Sequence, residues 1–463
     1  MPGVPSGRGC NACRQQKKKC DSPTHPCPRC KRLNIPCVGL GQRRYKFVQD
    51  EKRLSPGDNF ILQRVSGSES SSHSTPGSDA ATLFQSPSNE TTRLVAAFTE
   101  KIKPARGIKY NLAWTYGDYL NHVPSRLGRN EALDNATDVW MTAFEHQFST
   151  SGVENTPVLL EKYGRSLASL RKCLDDPVKA KAPETLCAIL FLWNCQQFIR
   201  MIGSPASAHS EGAAQIIRLR GCAEKSQDLF ESNLLLSLRA VVLFSSMLEG
   251  RVEFSDEEWV AMFDNKAYEL APQGQAVQCL TRLPNLMRRI KAALLGGHQA
   301  QLPELRALAH SLRDELDPSL FKLREQWHEN MTETVDTKRP FLPGLLRCHH
   351  LRSYGFGLAI GIFINEVRLA LCPDAVDILE ESQAFAVEIL ELAKIGLEYR
   401  PLGGYVFGVC LLAAYCGAYD LDTKFAIQML HLEYARDFHG ADGPQSCQDL
   451  KLICGREWSR FVV

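Results

Sequence analysis

Six cysteines between Cys10 and Cys37 are the residues of this chain best suited to chemistry. They follow the pattern C-x2-C-x6-C-x6-C-x2-C-x6-C, which is two copies of one C-x2-C-x6-C unit joined by six residues. Two thiolates separated by two residues can chelate one metal ion, because a tight turn brings both sulfurs to about 2.3 Å from it. A tetrahedral zinc site needs four ligands, so the three cysteines of one unit cannot complete it. The spacing therefore predicts a two-zinc cluster in which two of the six sulfurs are shared.

Other cysteine chemistries fit this spacing less well. A disulfide framework requires an oxidising compartment, and residues 1–9 lack the apolar core of a signal peptide. Iron–sulfur proteins group their cysteines differently. A zinc finger or RING site needs histidine ligands, and His25 is the only histidine near the cysteines. A redox C-x-x-C pair is expected beside a strand–helix–strand pattern, which the sequence does not show here. Structural zinc is the preferred interpretation.

Lysines and arginines fill the intervals between and after these cysteines. They are Arg14, Lys17, Lys18, Lys19, Arg29, Lys31, Arg32, Arg43, Arg44 and Lys46. Residues 1–53 carry 13 lysines and arginines against three acidic residues, a net charge of +10, whereas the rest of the chain carries −8. Six thiolates and two zinc ions together carry a net charge of only about −2, so few basic residues are needed to neutralise the cluster. The surplus positive charge indicates contact with the phosphates of a nucleic acid.

The segment from Gly9 to Phe47 resembles the fungal binuclear zinc cluster (Zn2Cys6) transcription factors. The resemblance is carried by the CNACRQQKKKC half, the CPRCKRLNIPC half and the VGLGQRRYKF exit. It implies two zinc ions per chain, with Cys10 and Cys27 as the bridging ligands. It also implies that each half is a short helix followed by an extended strand, and that the first helix enters the major groove over a CGG triplet. The implied metal ligands are Cys10, Cys13, Cys20, Cys27, Cys30 and Cys37.

The same resemblance assigns the residues that contact DNA. In this family the basic residue four positions after the second cysteine commonly reads guanine, and that residue is Lys17. Lysine can donate to O6 and N7 of guanine, which is consistent with the assignment. The alternative is that Lys17 is only a solvated lysine on a helix. Lys18 is the second candidate for base reading, and the residues expected on phosphates are Arg14, Lys19, Arg43 and Arg44.

Two positions depart from the family pattern. Gln16 stands where the family often has arginine or lysine. Glutamine can pair with adenine or donate to a phosphate, so the triplet preference stays open. His25 occupies a position where the family often has proline, and Pro26 directly precedes Cys27. His25 is interpreted as a loop residue, because the cysteines already complete both zinc sites.

The rest of the chain divides into a linker and a large domain. The proposed boundaries are 1–53 for the zinc module with its basic exit, 54–88 for a flexible linker, and 89–463 for a helical regulatory domain. The linker is rich in serine, proline and glycine and has no helical period. No sustained heptads of a dimerising coiled coil occur between Tyr45 and Glu90, and Pro56-Gly57 would interrupt such a helix. The sequence is therefore consistent with both a homodimer and a monomer.

Helical periodicity recurs from about residue 89 onwards. The first apolar stripe places Leu133, Ala136, Trp140 and Phe144 on one helix face, with Asn130 as the N-cap. A second stripe runs over Leu159, Tyr163, Leu167, Leu170 and Leu174 and ends at Asp176-Pro177. Further helices are predicted from Pro183, over 208–219 with Gly221 as the C-cap, and over 233–248, 303–316, 356–371 and 382–397. Few runs of alternating apolar and polar residues, which would predict β-strands, occur. The predicted fold class is therefore mainly α, with a small Zn2Cys6 module followed by a large all-α domain.

Several helical segments also resemble the regulatory region of fungal-specific transcription factors. They are LNHVPSRLGRNEALDNATDVW, YGRSLASLRKCLDD with APETLCAILFL, and HSEGAAQIIRLRG. The resemblance implies a regulatory domain without catalysis that in some members responds to an effector. Gly212 lies in the middle of a predicted helix, where glycine costs about 1 kcal/mol relative to alanine. A close approach of another helix would explain this glycine; a weak spot without a role is the alternative.

Enzymatic and membrane functions have little support in the sequence. The chain has no G-x-x-x-x-G-K-[ST] loop, no H-E-x-x-H and no G-x-S-x-G, so we expect no enzyme. The His349-His350 pair lacks acidic partners at ligand spacing and is expected in the core or on the surface. The other eleven cysteines are scattered and behave as small hydrophobes in a reducing compartment. The uncharged segment Leu402–Tyr419 approaches the length of a membrane span, but its glycines and tyrosines favour a buried helix.

The sequence thus predicts a nuclear, sequence-specific regulator of RNA polymerase II transcription. Its expected partners are double-stranded DNA and transcriptional coregulators, with no membrane. The alternative is a helical regulator that binds a metabolite or a protein and uses its zinc module only for protein interaction or nonspecific nucleic-acid contact. The two differ in their response to salt, since specific binding keeps a preference for one DNA sequence at physiological salt.

Overall fold

A computed structural model provides the structure of this chain. It describes residues 10, 12–13, 16, 18, 20, 26–35, 37, 89–102, 108–148, 156–198, 207–221, 227–249, 252–263, 272–296, 299–332 and 342–438. The chain separates into two compact units, residues 1–82 and residues 83–463. The predicted linker over 54–88 lies outside the described residues.

The first unit is built around its cysteines. Its described helix is α1 (Pro28–Arg32), and residues 12–13 are also helical. The buried side chains of this unit are Cys10, Cys13, Cys27, Cys30 and Cys37, against which Ala12, Cys20 and Ile35 pack. Such an interior is too small to hold a fold by apolar burial, so the described part of the unit depends on what the sulfurs bind.

The second unit is helical throughout its described residues, and no strand occurs among them. Its α-helices are α2 (Glu90–Ile102), α3 (Leu112–Tyr116), α4 (Glu131–Phe148), α5 (Thr156–Leu174), α6 (Pro183–Phe198), α7 (Ser207–Arg220), α8 (Leu229–Glu249), α9 (Asp256–Phe263), α10 (Pro272–Thr281), α11 (Leu283–Leu295), α12 (Leu302–Thr332), α13 (Leu342–Leu371), α14 (Val376–Gly396), α15 (Phe407–Gly417) and α16 (Leu421–Ala435). Short 3-10 helices cover Ile108–Tyr110, Asp118–Ser125, Lys179–Lys181, Gln299–Gln301 and Leu397–Tyr399. The predicted mainly α fold class is confirmed.

The helices of the second unit share one apolar core. In its N-terminal part α4 packs against α5 and α6, and α7 contacts α6 and α8. In its C-terminal part α13 packs against α12, α14 and α15, and α16 packs on α15. The buried residues form one continuous cluster from Phe98 to Phe438. At its centre the ring of Trp140 stacks on that of Phe191 with centroids 4.5 Å apart.

The predicted start of α4 is confirmed. The side chain of Asn130 accepts hydrogen bonds from the backbone N–H of Ala132 and of Leu133, at 2.9 and 3.2 Å. These bonds satisfy two of the donors that the first turn of a helix leaves without partners. Leu133 and Trp140, which belong to the predicted stripe, are fully buried.

The predicted stripe of α5 is correct in position but partly wrong in which side chains it buries. The helix ends before Asp176-Pro177, as predicted. Leu167 and Leu174, however, are 38% and 43% exposed. Ser166 and Cys173, each one residue earlier, are buried instead. Small side chains take these positions because α5 packs closely along α4, and the leucines are thereby turned towards the surface.

Two helices are long and apolar enough to cross a membrane by length and composition alone, Leu229–Met247 and Gly344–Leu371. Most of the second lies buried in the protein, and core helices satisfy the same criterion.

The predicted buried helix over Leu402–Tyr419 is shorter than expected, because residues 401–406 form turns before α15 begins. Within α15, Phe407, Cys410 and Leu411 are fully buried.

The scattered cysteines of the helical unit behave as small apolar side chains. Those that are buried are Cys173, Cys187, Cys195, Cys279, Cys348, Cys410 and Cys416. Burial raises the pKa of the Cys187 and Cys195 thiols well above the ordinary value, so both stay neutral. Cys372 is half-buried, and Cys222, Cys447 and Cys454 lie outside the described residues.

The close helix approach expected at Gly212 is wrong. No heavy atom of the described residues lies within 4 Å of the place that a Cβ would take there. Close approaches occur instead on α13. A Cβ at Gly361 would lie 2.8 Å from Cε2 of Phe385, and one at Gly355 would lie 2.9 Å from Cε1 of Phe407. The place of Gly212 within a helix does not decide this, because only the packing shows which glycine a neighbour requires.

Alanine substitutions at Gly212 and Gly361 should therefore have opposite effects on the stability of the protein. Gly212→Ala is expected to stabilise the protein by about 0.5–1 kcal/mol, because glycine inside a helix loses more conformational freedom on folding. Gly361→Ala, the matched variant, should destabilise it by about 1–3 kcal/mol, since Phe385 must move. Urea denaturation of the full chain measures both. A loss of stability in Gly212→Ala would show that another chain segment packs against this position.

Candidate metal centre

The six N-terminal cysteine sulfurs come together in two overlapping groups of four. One group comprises Cys10, Cys13, Cys20 and Cys27, and the other Cys10, Cys27, Cys30 and Cys37. Within each group all sulfurs lie within 4.8 Å of one another. The Cys10–Cys27 and Cys10–Cys30 sulfur pairs are 3.9 and 3.5 Å apart. Tetrahedral zinc with bonds of about 2.3 Å places its sulfurs about 3.8 Å apart, so each group has the size of one zinc site.

Cys10 and Cys27 differ from the other four cysteines, because each of them belongs to both groups. The spacing of the sequence requires two shared sulfurs, and the resemblance named these two cysteines. The geometry brings them to the position that a shared ligand must occupy. Each of the other four cysteines belongs to one group.

The two halves hold their sulfurs through equivalent backbone contacts. The backbone N–H of Cys10 donates to the sulfur of Cys20 at 3.4 Å, and that of Cys27 donates to the sulfur of Cys37 at 3.3 Å. Both contacts join a residue to the one ten positions later, so the sequence repeat reappears as a structural repeat. Cys27 also caps α1, and its sulfur accepts from the N–H of Cys30 at 3.5 Å. Pro28 begins that helix, where no backbone donor is needed.

The thiols do not ionise independently. Burial opposes ionisation of Cys10, but hydrogen bonds from Cys13, Cys30 and Cys37 together outweigh it and lower the pKa of Cys10 to about 6. The backbone of Cys10 favours the Cys20 thiolate, yet burial and the thiols of Cys27 and Cys10 raise the pKa of Cys20 to about 11. Burial and the same two thiols also raise the pKa of Cys30. Six thiolates this close repel one another unless cations lie between them, so the donor set fits two zinc ions.

Arg29 connects the two halves of the cluster. Its guanidinium donates to the sulfur of Cys13 at 3.7 Å and to Oε1 of Gln16 at 2.6 Å. Gln16 is one of the two positions that depart from the family pattern, and its amide oxygen accepts this hydrogen bond from Arg29. The basic charge of Arg29 was evident in the sequence, but its contact with Gln16 was not, because the two residues are thirteen positions apart.

The structure describes only part of the predicted DNA-contacting set. Lys18 is exposed, as are Lys31 and Arg32 at the end of α1. The remaining predicted contacts, Arg14, Lys17, Lys19, Arg43 and Arg44, lie outside the described residues, as does His25. Their assignments therefore stay predictions.

Comparison with known proteins agrees with this geometry. Residues 8–46 match the family model of the fungal Zn(2)-Cys(6) binuclear cluster domain. No curated protein and no solved structure shows a significant match to the chain. The resemblance of the helical unit to fungal regulatory domains thus stays a prediction. Residues 8–46 are a fungal Zn2Cys6 domain, a DNA-binding module of transcription regulation whose clustered cysteines bind two zinc ions.

Proposed function

We propose that this protein is a sequence-specific transcription factor that regulates RNA polymerase II transcription and reads a CGG-like triplet in the major groove. The observation that carries the proposal is the pair of cysteine groups that share Cys10 and Cys27 within a matched Zn2Cys6 domain. The excess of positive charge in residues 1–53 supports the same function, because it exceeds what the zinc thiolates require.

In the proposed cluster Cys10 and Cys27 bridge the two zinc ions. Cys13 and Cys20 complete the first site, and Cys30 and Cys37 complete the second. Zinc supplies the folding free energy that the small apolar interior of this unit does not provide. The rigid cluster then presents the basic residues between Cys13 and Cys20 to DNA.

Base reading is assigned to Lys17, with Lys18 as the second reader. Lys18 is exposed, which leaves its ammonium group free to reach a guanine edge or a phosphate. Gln16 has a different role, because Arg29 engages its amide oxygen. That contact uses one of the two lone pairs of the amide oxygen and holds the side chain towards Arg29, which suits donation to a phosphate better than the paired contacts that adenine requires. Arg14, Lys19, Arg43 and Arg44 are assigned to phosphates.

The remaining parts of the chain have supporting roles in this proposal. Residues 54–88 tether the zinc domain to a helical unit that regulates transcription, recruits coregulators and sets whether the protein binds DNA as a homodimer or a monomer. The protein acts in the nucleus, without a membrane and without catalysis.

The test is binding of the zinc-loaded full chain to DNA with a CGG triplet and to a scrambled control, at near-physiological salt. We expect a preference for CGG that a zinc chelator abolishes, since the reading residues depend on the metal-held fold. Added zinc should restore it. Equal binding to both probes that fades uniformly with salt would instead favour the alternative, in which the zinc module makes only nonspecific contacts.

A further inference from the structure

Helix α16 carries a row of large apolar side chains on its outer side. Leu421, Phe425 and Met429 follow one another at intervals of four residues, so they lie on one side of the helix. They are 81%, 65% and 52% exposed, respectively. Leu432 continues the row one turn later and is half-buried. These four residues are called the outer row of α16 below.

The opposite side of α16 already packs on the protein. Ile427, His431 and Tyr434 are buried there, and the helix contacts α14 and α15. The hydroxyl of Tyr434 donates to the backbone carbonyl of Ala393 on α14 at 2.6 Å. The helix is therefore apolar on both sides, which is typical of helices that are covered on both sides. Single exposed apolar residues are common on protein surfaces, but a continuous row of them indicates an interaction surface.

The size of the outer row indicates what kind of partner covers it. The exposed fractions of Leu421, Phe425 and Met429 add up to nearly two whole side chains, or about 400 Å² of surface. A stable interface between separate proteins buries about 800 Å² on each partner. The outer row alone is thus too small to hold a second copy of the chain. A segment of the same chain is better suited, because its attachment gives it a high effective concentration and leaves it less freedom to lose.

Residues 439–463 follow α16 closely in the sequence and lie outside the described residues. Their first part, HGADGPQS, contains glycines and a proline, which are typical of a turn. Ser446 and Asp449 then form an S-x-x-D pattern, which favours the start of a helix. Beyond it, apolar residues recur at helical spacing, at Cys447, Leu450, Cys454, Trp458 and Phe461. The pattern predicts an amphipathic helix.

We propose that residues 447–461 form a helix that folds back antiparallel to α16 and covers its outer row. Phe438, the last described residue, packs its ring on Phe198 and Tyr405, which holds the chain near the end of α16. Residues 439–446 then supply a turn of the length that joins two antiparallel helices. α16 and the proposed helix each contain 15 residues, or about 22 Å, so one can cover the other along its length. This contact belongs to the helical unit and does not depend on DNA recognition.

Hydrogen exchange of the zinc-loaded full chain tests the proposal, because the amides of a docked helix exchange slowly. We expect residues 447–461 to exchange at least about 100-fold more slowly than an unstructured peptide. Phe425→Ser should lose this protection, since it removes the aromatic side chain of the outer row. Phe321→Ser is the matched control, because Phe321 is 62% exposed but lies on α12, and it should leave the protection unchanged. Both phenylalanines are mostly exposed, so neither change removes a core side chain.

The reciprocal measurement is the rate at which hydrogen peroxide oxidises Met429. The proposed helix shields this side chain, so oxidation in the wild type should be slow. Trp458→Ser removes the largest side chain of the proposed helix and should accelerate oxidation several-fold. Both the exchange protection and the oxidation rate should be independent of protein concentration, because the covering segment belongs to the same chain.

Four results would overturn the proposal. Fast exchange of residues 447–461 in the wild type would leave the outer row to a separate protein. Protection that falls on dilution, together with a dimer that Phe425→Ser dissociates, would assign the row to a second copy of the chain. Equal loss of protection in Phe425→Ser and Phe321→Ser would show general destabilisation and not docking. Unchanged oxidation of Met429 in Trp458→Ser would show that this segment does not cover α16.

Discussion

Replacing Cys10 or Cys27 by alanine is expected to remove both zinc ions, whereas replacing Cys13 or Cys37 should remove about one. Cys10 and Cys27 belong to both groups of sulfurs, so the loss of either leaves two sites with three ligands each. Cys13 and Cys37 each belong to one group. Because zinc binding and folding are coupled in such small domains, the bridging variants should also lose specific DNA binding completely.

Zinc content of the purified full chain measures this difference, together with binding to the CGG probe. Cys372→Ala is the matched control, because Cys372 is a half-buried cysteine of the helical unit and should leave both zinc ions in place. Equal zinc contents in Cys10→Ala and Cys13→Ala would contradict a shared role for Cys10. Retention of specific DNA binding by Cys10→Ala would contradict the two-zinc cluster as the DNA reader.

Replacing Lys17 by alanine should reduce the preference for CGG over the scrambled sequence by about 1–3 kcal/mol, the usual contribution of a base contact. Binding to the scrambled probe should change far less, because nonspecific binding depends on many phosphate contacts. Arg14→Ala is the matched variant for a phosphate contact. It should weaken binding to both probes alike. It should also reduce the slope of the logarithm of the binding constant against the logarithm of the salt concentration by about one.

Competition binding over a range of salt concentrations measures both effects. Arg436→Ala is a suitable control, since this exposed residue belongs to the helical unit. An unchanged preference in Lys17→Ala combined with a lost preference in Lys18→Ala would move the reading role to Lys18. If neither variant altered the preference, the assignment of base reading to this lysine cluster would be wrong.

Much of the fold could be predicted because it depends on local patterns. Asn130 caps α4 as predicted, since a cap is satisfied by backbone donors two and three residues away. Pro183 begins α6 for an equally local reason. Gly221 ends α7 with a positive φ of 87°, which suits glycine. None of these features needs a distant part of the chain.

The predictions that failed depended on neighbours far away in the sequence. The exposure of Leu167 and the burial of Ser166 are decided by how closely α4 approaches α5. A neighbouring side chain comes close at Gly361 and not at Gly212, because Phe385 of α14 packs against that point of α13. Periodicity indicates that a helix has an apolar face, but the width and tilt of that face depend on its partner.

The sequence by itself determined the metal centre, and the tertiary structure decided what surrounds the polar and charged side chains. Cysteine spacing sets which sulfurs can meet, because short covalent segments limit the distances between them. Spacing does not show the contact of Arg29 with Gln16, nor the place of the Arg352 guanidinium 4.3 Å from the ring centre of Trp114. Long side chains take whatever partner the folded helices bring near, and for Arg352 that partner, within the described part of the chain, is the ring of Trp114.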